Sequence, residues 1–174
     1  MSIKKSRTIR RVAWVSLFPQ VGIMLIIFLI FNIMGVRNPL VSFLVTYTLL
    51  SVGLRTLIPR DHREGIDLVG KKQFTAAIAK FEESYRFFEQ YKWVDQYRYV
   101  TMLNSSAISF QEMALCNIAY CYTQLGNHVH ARNYYERALS EFPESELAAA
   151  GLKYIDSIEA EDVNRIESSF QSIE

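Results

Sequence analysis

The stretch from Val12 to Val36, near the start of the chain, contains no charged side chain. A helix of about 20 apolar residues is long enough to cross the hydrocarbon core of a bilayer. A second, shorter uncharged run extends from Asn38 to Leu54. The sequence GVRNP between the runs favours a turn through its glycine, asparagine and proline. The pattern predicts a hairpin of two transmembrane helices over residues 12–58, with membrane lipid as its partner.

Two other interpretations of this region stay open. A cleaved signal peptide would share the basic start, but the first run is longer than such a peptide needs and a second apolar run follows it directly. The second run is at the short end of membrane-spanning lengths, so an interfacial or re-entrant segment is the alternative to a full span.

Charge divides the chain near Pro59. Residues 1–59 hold seven Lys or Arg and no acid, a charge of +7, whereas residues 60–174 hold twelve Lys or Arg and eighteen acids, a charge of −6. Five of the positive charges precede the first apolar run, and only Arg37 lies in the turn. Because positive charge favours the cytoplasmic side, we expect a basic cytoplasmic tail at residues 1–11. The protein would be integral to a plasma or inner membrane, with both termini in the cytoplasm.

The second part of the chain has the periodicity of amphipathic helices. Residues 74–88 repeat apolar side chains at offsets of three and four. Ser109 and Glu112 have the spacing of a capping box, which predicts a helix start, and Gly126 suits the left-handed end of that helix. Another helix follows and ends at Pro143.

This order of helix, glycine turn, helix and proline resembles the tetratricopeptide repeat. Small residues at its fixed positions let two helices approach, and large ones fill the gaps between them. In residues 112–145 the residues that match the repeat pattern are Leu115, Ile118, Ala119, Tyr122, Gly126, Ala131, Tyr135, Ala138 and Pro143.

A weaker copy of the pattern lies at residues 58–91. It has Gly65, Ala77 and Phe81 at matching places, but Lys72 replaces the turn glycine. The copies begin at positions 58 and 112, which is farther apart than the usual period of the family, about 34 residues. We expect the additional residues of the 87–109 region to lengthen a helix and to add a loop.

Residues 144–158 have one apolar face and predict the capping helix that a short array needs. The sequence therefore predicts an all-α fold class: a transmembrane hairpin at residues 12–58, a short TPR-like array with a capping helix at residues 59–158, and an acidic amphipathic tail at residues 159–174. The tail would be a last helix or a segment that orders on a partner.

The resemblance also implies a binding site. Repeats of this family bind peptides or helices of other proteins in a groove lined by their first helices. The implied groove residues are Met113, Cys116, Asn117, Tyr120, Thr123, Gln124 and Tyr154, joined by Leu147, Ala150 and Ser157 of the capping helix. Burial of some of them under the capping helix is the alternative. One subgroup grips a C-terminal carboxylate with basic residues, but His62 and Ile66 stand at two of those places, which disfavours such a ligand.

Other function classes lack support in the sequence. His128 and His130 have no Cys or carboxylate at a ligand spacing, and no phosphate loop or nucleophile elbow is present. Seven aromatic rings between Tyr85 and Tyr99 fit a core or a membrane interface better than stacking on nucleic acid. We expect no catalytic residue, no metal, no cofactor and no nucleic acid.

The sequence thus favours a non-enzymatic scaffold or assembly factor, anchored in a membrane, that binds a protein partner at the cytoplasmic face. An alternative is a subunit of a transport or secretion complex, in which the hairpin is functional and the repeats regulate it. Two repeats are few for a stable array, so self-association is a further expectation.

Overall fold

The structure, a computed structural model, describes residues 17–103, 106 and 108–171, and for residues 17 and 162–171 only the backbone. The predicted basic tail, the start of the first apolar run and residues 172–174 lie outside the described residues. Those described form helices and no strand, which confirms the all-α fold class for this part of the chain. The helices are α1 (Leu17–Ile33), α2 (Pro39–Leu57), α3 (Arg60–Gly70), α4 (Phe74–Gln90), α5 (Lys92–Gln96), α6 (Arg98–Thr101), α7 (Phe110–Gln124), α8 (His128–Glu141) and α9 (Glu146–Gln171).

The chain divides into two compact units. Of the described residues, the hairpin unit contains those up to Pro59 and those in Tyr91–Ser109, and the array unit contains Arg60–Gln90 and those from Phe110 onward. The start of the 87–109 region lengthens α4, which has 17 residues and ends at Gln90, whereas the equivalent helix α8 has 14 residues. The residues of this region from Tyr91 onward form the short helices α5 and α6, which belong to the hairpin unit.

Helices α1 and α2 of the hairpin unit pack on each other. Gly35 adopts a left-handed φ of 65° in the turn between them, and the rings of Phe28 and Phe43 meet edge to face at 6.0 Å. Within the part of the chain that the structure describes, one helix, Pro39–Leu57, is long and apolar enough to cross a membrane, while the apolar helix Phe18–Ile33 is shorter. A hairpin with two membrane spans stays a prediction.

The array unit contains two similar helix pairs, α3–α4 and α7–α8. In the first turn the Gln73 amide donates a hydrogen bond to the Leu68 carbonyl oxygen at 2.9 Å. In the second turn the Asn127 amide donates to the Tyr122 carbonyl oxygen, also at 2.9 Å. Lys72, with φ 59°, adopts the same left-handed conformation as Gly126, with φ 74°. The two turns are therefore built alike, although a lysine replaces the glycine in the first.

Small residues let the helices of each pair approach closely. Ala77 and Ala131 are completely buried at equivalent places in α4 and α8. Gly65 lies so close to the ring of Phe81 that an added Cβ would be 2.7 Å from the ring carbon Cε1. A side chain at residue 65 would have to displace the Phe81 ring or separate α3 from α4.

Helix α9 packs on both α7 and α8. Ser145 begins it by accepting a hydrogen bond from the Ala148 amide at its Oγ, at 3.1 Å. Arg132 of α8 pairs with Asp156 at 2.6 Å and with Glu159 at 2.7 Å. The helix continues to Gln171 without a break at residue 158, because no glycine or proline follows Gly151. The capping segment and the described part of the acidic tail are thus one helix.

Candidate protein-binding face

Three exposed apolar or aromatic residues occupy equivalent places on the first helices of the array. Ile66 of α3 and Tyr120 of α7 stand at the same place in the two repeat copies. Tyr154 of α9 follows Tyr120 by one usual repeat period, about 34 residues. The exposed fractions of the three side chains are 51%, 42% and 56%. We call these three residues the first-helix row. They stay exposed because the opposite sides of α3, α7 and α9 pack into the array.

The residues predicted for the groove fall into three groups. Tyr120, Gln124 and Tyr154 are exposed, as are Leu147, Ala150 and Ser157 of the capping helix. Met113 and Asn117 are half-buried. Cys116 and Thr123 are buried and so are not available to a partner on the surface.

Local packing explains why Cys116 and Thr123 are buried. Cys116 belongs to the same buried cluster as Ala148 and Ile155 of α9, and this burial raises the pKa of its thiol to about 12. The Thr123 hydroxyl donates a hydrogen bond to the Ala119 carbonyl oxygen one turn earlier, at 3.0 Å. Cys116 is therefore buried beneath the capping helix, which was the alternative to a place in the groove.

The residues matched to the repeat pattern lie where the helix pairs meet. Leu115, Ile118, Ala119, Ala131, Tyr135 and Ala138 are buried. Tyr122 is half-buried, and its ring stacks on Tyr134 at 5.6 Å and on His130 at 5.2 Å. Gly126 forms the turn between α7 and α8, and Pro143 lies just beyond the end of α8. These residues hold the array together, so only the exposed positions are accessible to a partner.

His62 of α3 points into the core rather than toward a ligand. It is 3% exposed, and its ring meets Phe81 at 5.3 Å and Phe110 at 5.2 Å. Its Nδ1 lies 3.3 Å from the Ser84 hydroxyl. Burial lowers the pKa of His62 to about 4, so the side chain is neutral near pH 7. At this place the array therefore offers no positive charge to a carboxylate.

Tyr85 connects the two helix pairs on another side of the array. Its hydroxyl donates to the Glu141 carboxylate, with distances of 3.0 and 2.9 Å to the two oxygens. The Arg137 guanidinium lies 4.6 Å from the centre of the Tyr85 ring and donates to Glu141 at 2.8 Å. Burial and the adjacent carboxylate raise the pKa of Tyr85 to about 12.

Tyr85 and Arg137 border a cleft of about 260 Å³ between α4, α7 and α8. Glu82, Arg86 and Glu89 contribute to its wall, and Leu115 and Ile118 are among its apolar lining residues. Among the residues that the structure describes, no three His, Cys, Asp or Glu side chains form a group that could hold a metal ion.

The helix pair α7–α8 combines a left-handed turn at Gly126 with completely buried alanines at the helix contact. Residues 113–145 match the family model of the tetratricopeptide repeat. The match supports the expected resemblance to this family over this segment. Tetratricopeptide repeats generally bind protein partners, so the match supports a role in protein–protein interaction. No curated protein and no solved structure matches the chain significantly.

Ile66 is not among the groove residues predicted from the sequence. There it stands only as the replacement of a basic residue of a carboxylate-binding subgroup. Its place in the first copy is the place of Tyr120 in the second. This correspondence is the signal that identifies it, because residues at equivalent repeat positions point to the same side of their helices.

Proposed function

We propose that this protein is a membrane-anchored scaffold or assembly factor whose tetratricopeptide-type array binds a protein partner at the cytoplasmic face of a membrane. The observation that carries the proposal is the first-helix row, Ile66, Tyr120 and Tyr154, exposed on a unit in which the α7–α8 pair matches the tetratricopeptide repeat. The proposed role is holding a partner, and it requires no catalytic residue, metal or cofactor.

The exposed side chains indicate the chemistry of the partner segment. Tyr120 and Tyr154 present large amphipathic rings, which are enriched at protein interfaces. Ile66 and Leu147 add apolar surface, and Gln124 is an uncharged hydrogen-bonding group. An apolar peptide or one face of an amphipathic helix would fit this composition better than a strongly charged segment.

Helix α2 supports the proposed anchor. It has 19 residues, and Phe43 is its buried residue, so most of its apolar side chains face outward. A soluble protein rarely exposes such a continuous apolar surface, whereas lipid would cover it. Anchoring a binding unit at the membrane raises the effective concentration of its partner there.

Copurification after crosslinking in membranes of the native host tests the binding role. We expect the intact chain to recover a discrete partner and the Tyr120→Ala/Tyr154→Ala variant to recover about 10-fold less, because buried aromatic residues dominate interface energies. A matched control is Leu125→Ala/Val129→Ala, which removes two exposed apolar side chains outside the row. Equal losses in both variants would contradict the proposal.

Two further experiments test the anchor and the alternative function. Alkaline carbonate should leave the full chain in the membrane pellet, and its release would contradict the anchor. Replacing residues 1–58 by an unrelated membrane anchor should preserve partner recovery. Loss of function with the replaced anchor would favour a transport or secretion subunit whose hairpin is itself functional.

A further inference from the structure

Residues 91–103 present an exposed aromatic surface in the hairpin unit. We call them the aromatic segment. Trp93 is 58% exposed and Tyr97 47%, and Tyr91 and Val100 are exposed as well. A group of exposed apolar and aromatic side chains often marks a surface that contacts a protein partner or a membrane.

The aromatic segment is attached to the end of α2. Arg55, in the last turn of α2, donates a hydrogen bond from its guanidinium to the Leu103 carbonyl oxygen. In the same unit, α6 packs against α1. These contacts place the segment beside the two apolar helices, at the end of α2 where its uncharged run stops.

Internal hydrogen bonds give the segment a defined shape. The Thr101 hydroxyl donates to the Val94 carbonyl oxygen at 2.7 Å, which joins α6 to α5. Arg98 donates from Nε to the Ser106 carbonyl oxygen at 2.8 Å. The exposed rings are therefore held on a folded element rather than on an extended loop.

The exposed side of the segment carries no negative charge. Asp95 is the one acid in residues 91–103 and is only 4% exposed. Its carboxylate lies 3.7 Å from the Arg98 guanidinium. Lys92 is exposed and positive. This combination of tyrosine, tryptophan and lysine without an exposed acid is compatible with anionic lipid headgroups, which attract basic side chains.

We propose that the aromatic segment lies in the headgroup region of the same bilayer that α2 enters, with Trp93 and Tyr97 inserted among the lipids. Tyrosine and tryptophan favour this region because each ring has an apolar body and a polar hydrogen-bonding group. The inference rests on the proposed membrane anchor and extends it from a hairpin to a hairpin with an interfacial element.

Tryptophan fluorescence tests the position of the segment directly. The chain has two tryptophans, Trp14 and Trp93, so Trp14→Phe leaves Trp93 as the single reporter. The full-length variant is reconstituted into nanodiscs with lipids brominated in the upper acyl chain or with unbrominated lipids. We expect the brominated lipids to remove about half or more of the Trp93 emission, and iodide in the water to quench it weakly.

A matched reporter on the array unit is the control. The variant Trp14→Phe/Trp93→Phe/Val129→Trp places the single tryptophan at an exposed position of α8, where iodide should quench it and brominated lipids should not. A third variant, Trp14→Phe/Trp93→Phe/Tyr97→Trp, reports on the segment independently and should behave like Trp93.

The outcomes separate the two proposals. Each variant is first extracted with alkaline carbonate, and release from the membrane would overturn both the anchor and the interfacial element. If the variants instead stay in the membrane while iodide quenches Trp93 as strongly as the Val129→Trp reporter, that result would overturn the interfacial element alone. Strong quenching by brominated lipids at residues 93 and 97, but not at 129, would support it.

Discussion

Gly151 of α9 lies against the ring of Tyr135 of α8, so close that an added Cβ would overlap the ring carbons Cε1 and Cζ. Tyr135 is only 6% exposed, so neighbouring atoms surround its ring. The absence of a side chain at residue 151 is therefore what allows α9 to cover the α7–α8 pair. This contact joins the capping helix to the segment that matches the tetratricopeptide repeat.

Gly151→Ala should weaken the array unit. Overpacking of a filled contact costs about 1–3 kcal/mol, part of which the better helix propensity of alanine offsets. We expect a lower free energy of unfolding, measured by urea denaturation of the full chain in detergent. Gly70→Ala is the matched control, since nothing lies within 4 Å of an added Cβ there. Equal stability of the two variants would contradict the close contact.

Lys72→Gly should stabilise the first helix pair. A left-handed conformation costs a non-glycine residue about 1–2 kcal/mol, and glycine recovers this at an entropic cost of about 0.5–1 kcal/mol. We therefore expect a net gain of about 0–1.5 kcal/mol in the free energy of unfolding in the same urea experiment. The reverse change at the equivalent turn, Gly126→Ala, should destabilise. A loss of stability on Lys72→Gly would show that the lysine side chain has a structural role.

His62 should make the array sensitive to acid. Its folded pKa is about 4, below the ordinary value of 6.5, because burial disfavours the charged ring. The unfolded chain binds the proton more readily than the folded chain. The contribution of neutral His62 to the free energy of unfolding is therefore fully present above pH 6.5 and is lost as the pH falls toward 4. The loss amounts to about 3 kcal/mol for a shift of this size.

Replacing the titrating ring isolates this contribution from those of other groups. Urea midpoints of the intact chain and of His62→Gln are compared at several values of pH from neutral to acid. Between pH 6.5 and about 4, we expect the urea midpoint of the intact chain to fall more steeply than that of His62→Gln, because glutamine does not titrate. Parallel declines would mean that His62 is not the residue responsible.

Tyr85→Phe should loosen the contact between the two helix pairs. The change removes a hydroxyl that donates to a carboxylate, a hydrogen bond worth about 1.5–3 kcal/mol. Tyr134→Phe is a matched control, because the Tyr134 hydroxyl donates to Glu82 over a longer distance of 3.3 Å. Thermal or urea unfolding should show the larger loss for Tyr85→Phe. Equal losses of stability in the two variants would contradict a stronger hydrogen bond between Tyr85 and Glu141.

The helix pair at residues 112–145 could be predicted from the sequence because its packing depends on residue size at local offsets. Ala119, Ala131 and Ala138 are buried as their size requires. The burial of Cys116 was not predictable, because it depends on how α9 covers α7 rather than on the periodicity of α7. The Tyr85–Glu141 hydrogen bond joins residues far apart in the chain, and no local pattern encodes such a pair.

The exposed row was also only partly predictable. Tyr120 and Tyr154 followed from the repeat resemblance, whereas Ile66 lies in the weaker copy and is recognised once its exposure is known. From the sequence, the aromatic rings between Tyr85 and Tyr99 fit either a protein core or a membrane interface. The contacts of residues 91–103 with the apolar helices now favour it.

Site-specific photocrosslinking in native membranes tests the central claim, that the first-helix row holds a protein partner. A benzoylphenylalanine is incorporated at residue 120, at residue 154 or at the exposed control position 129, and the adducts are resolved by electrophoresis and mass spectrometry. The account predicts one and the same protein adduct from residues 120 and 154 and none from residue 129. No adduct from residues 120 and 154, or the same adducts from all three positions, would contradict it.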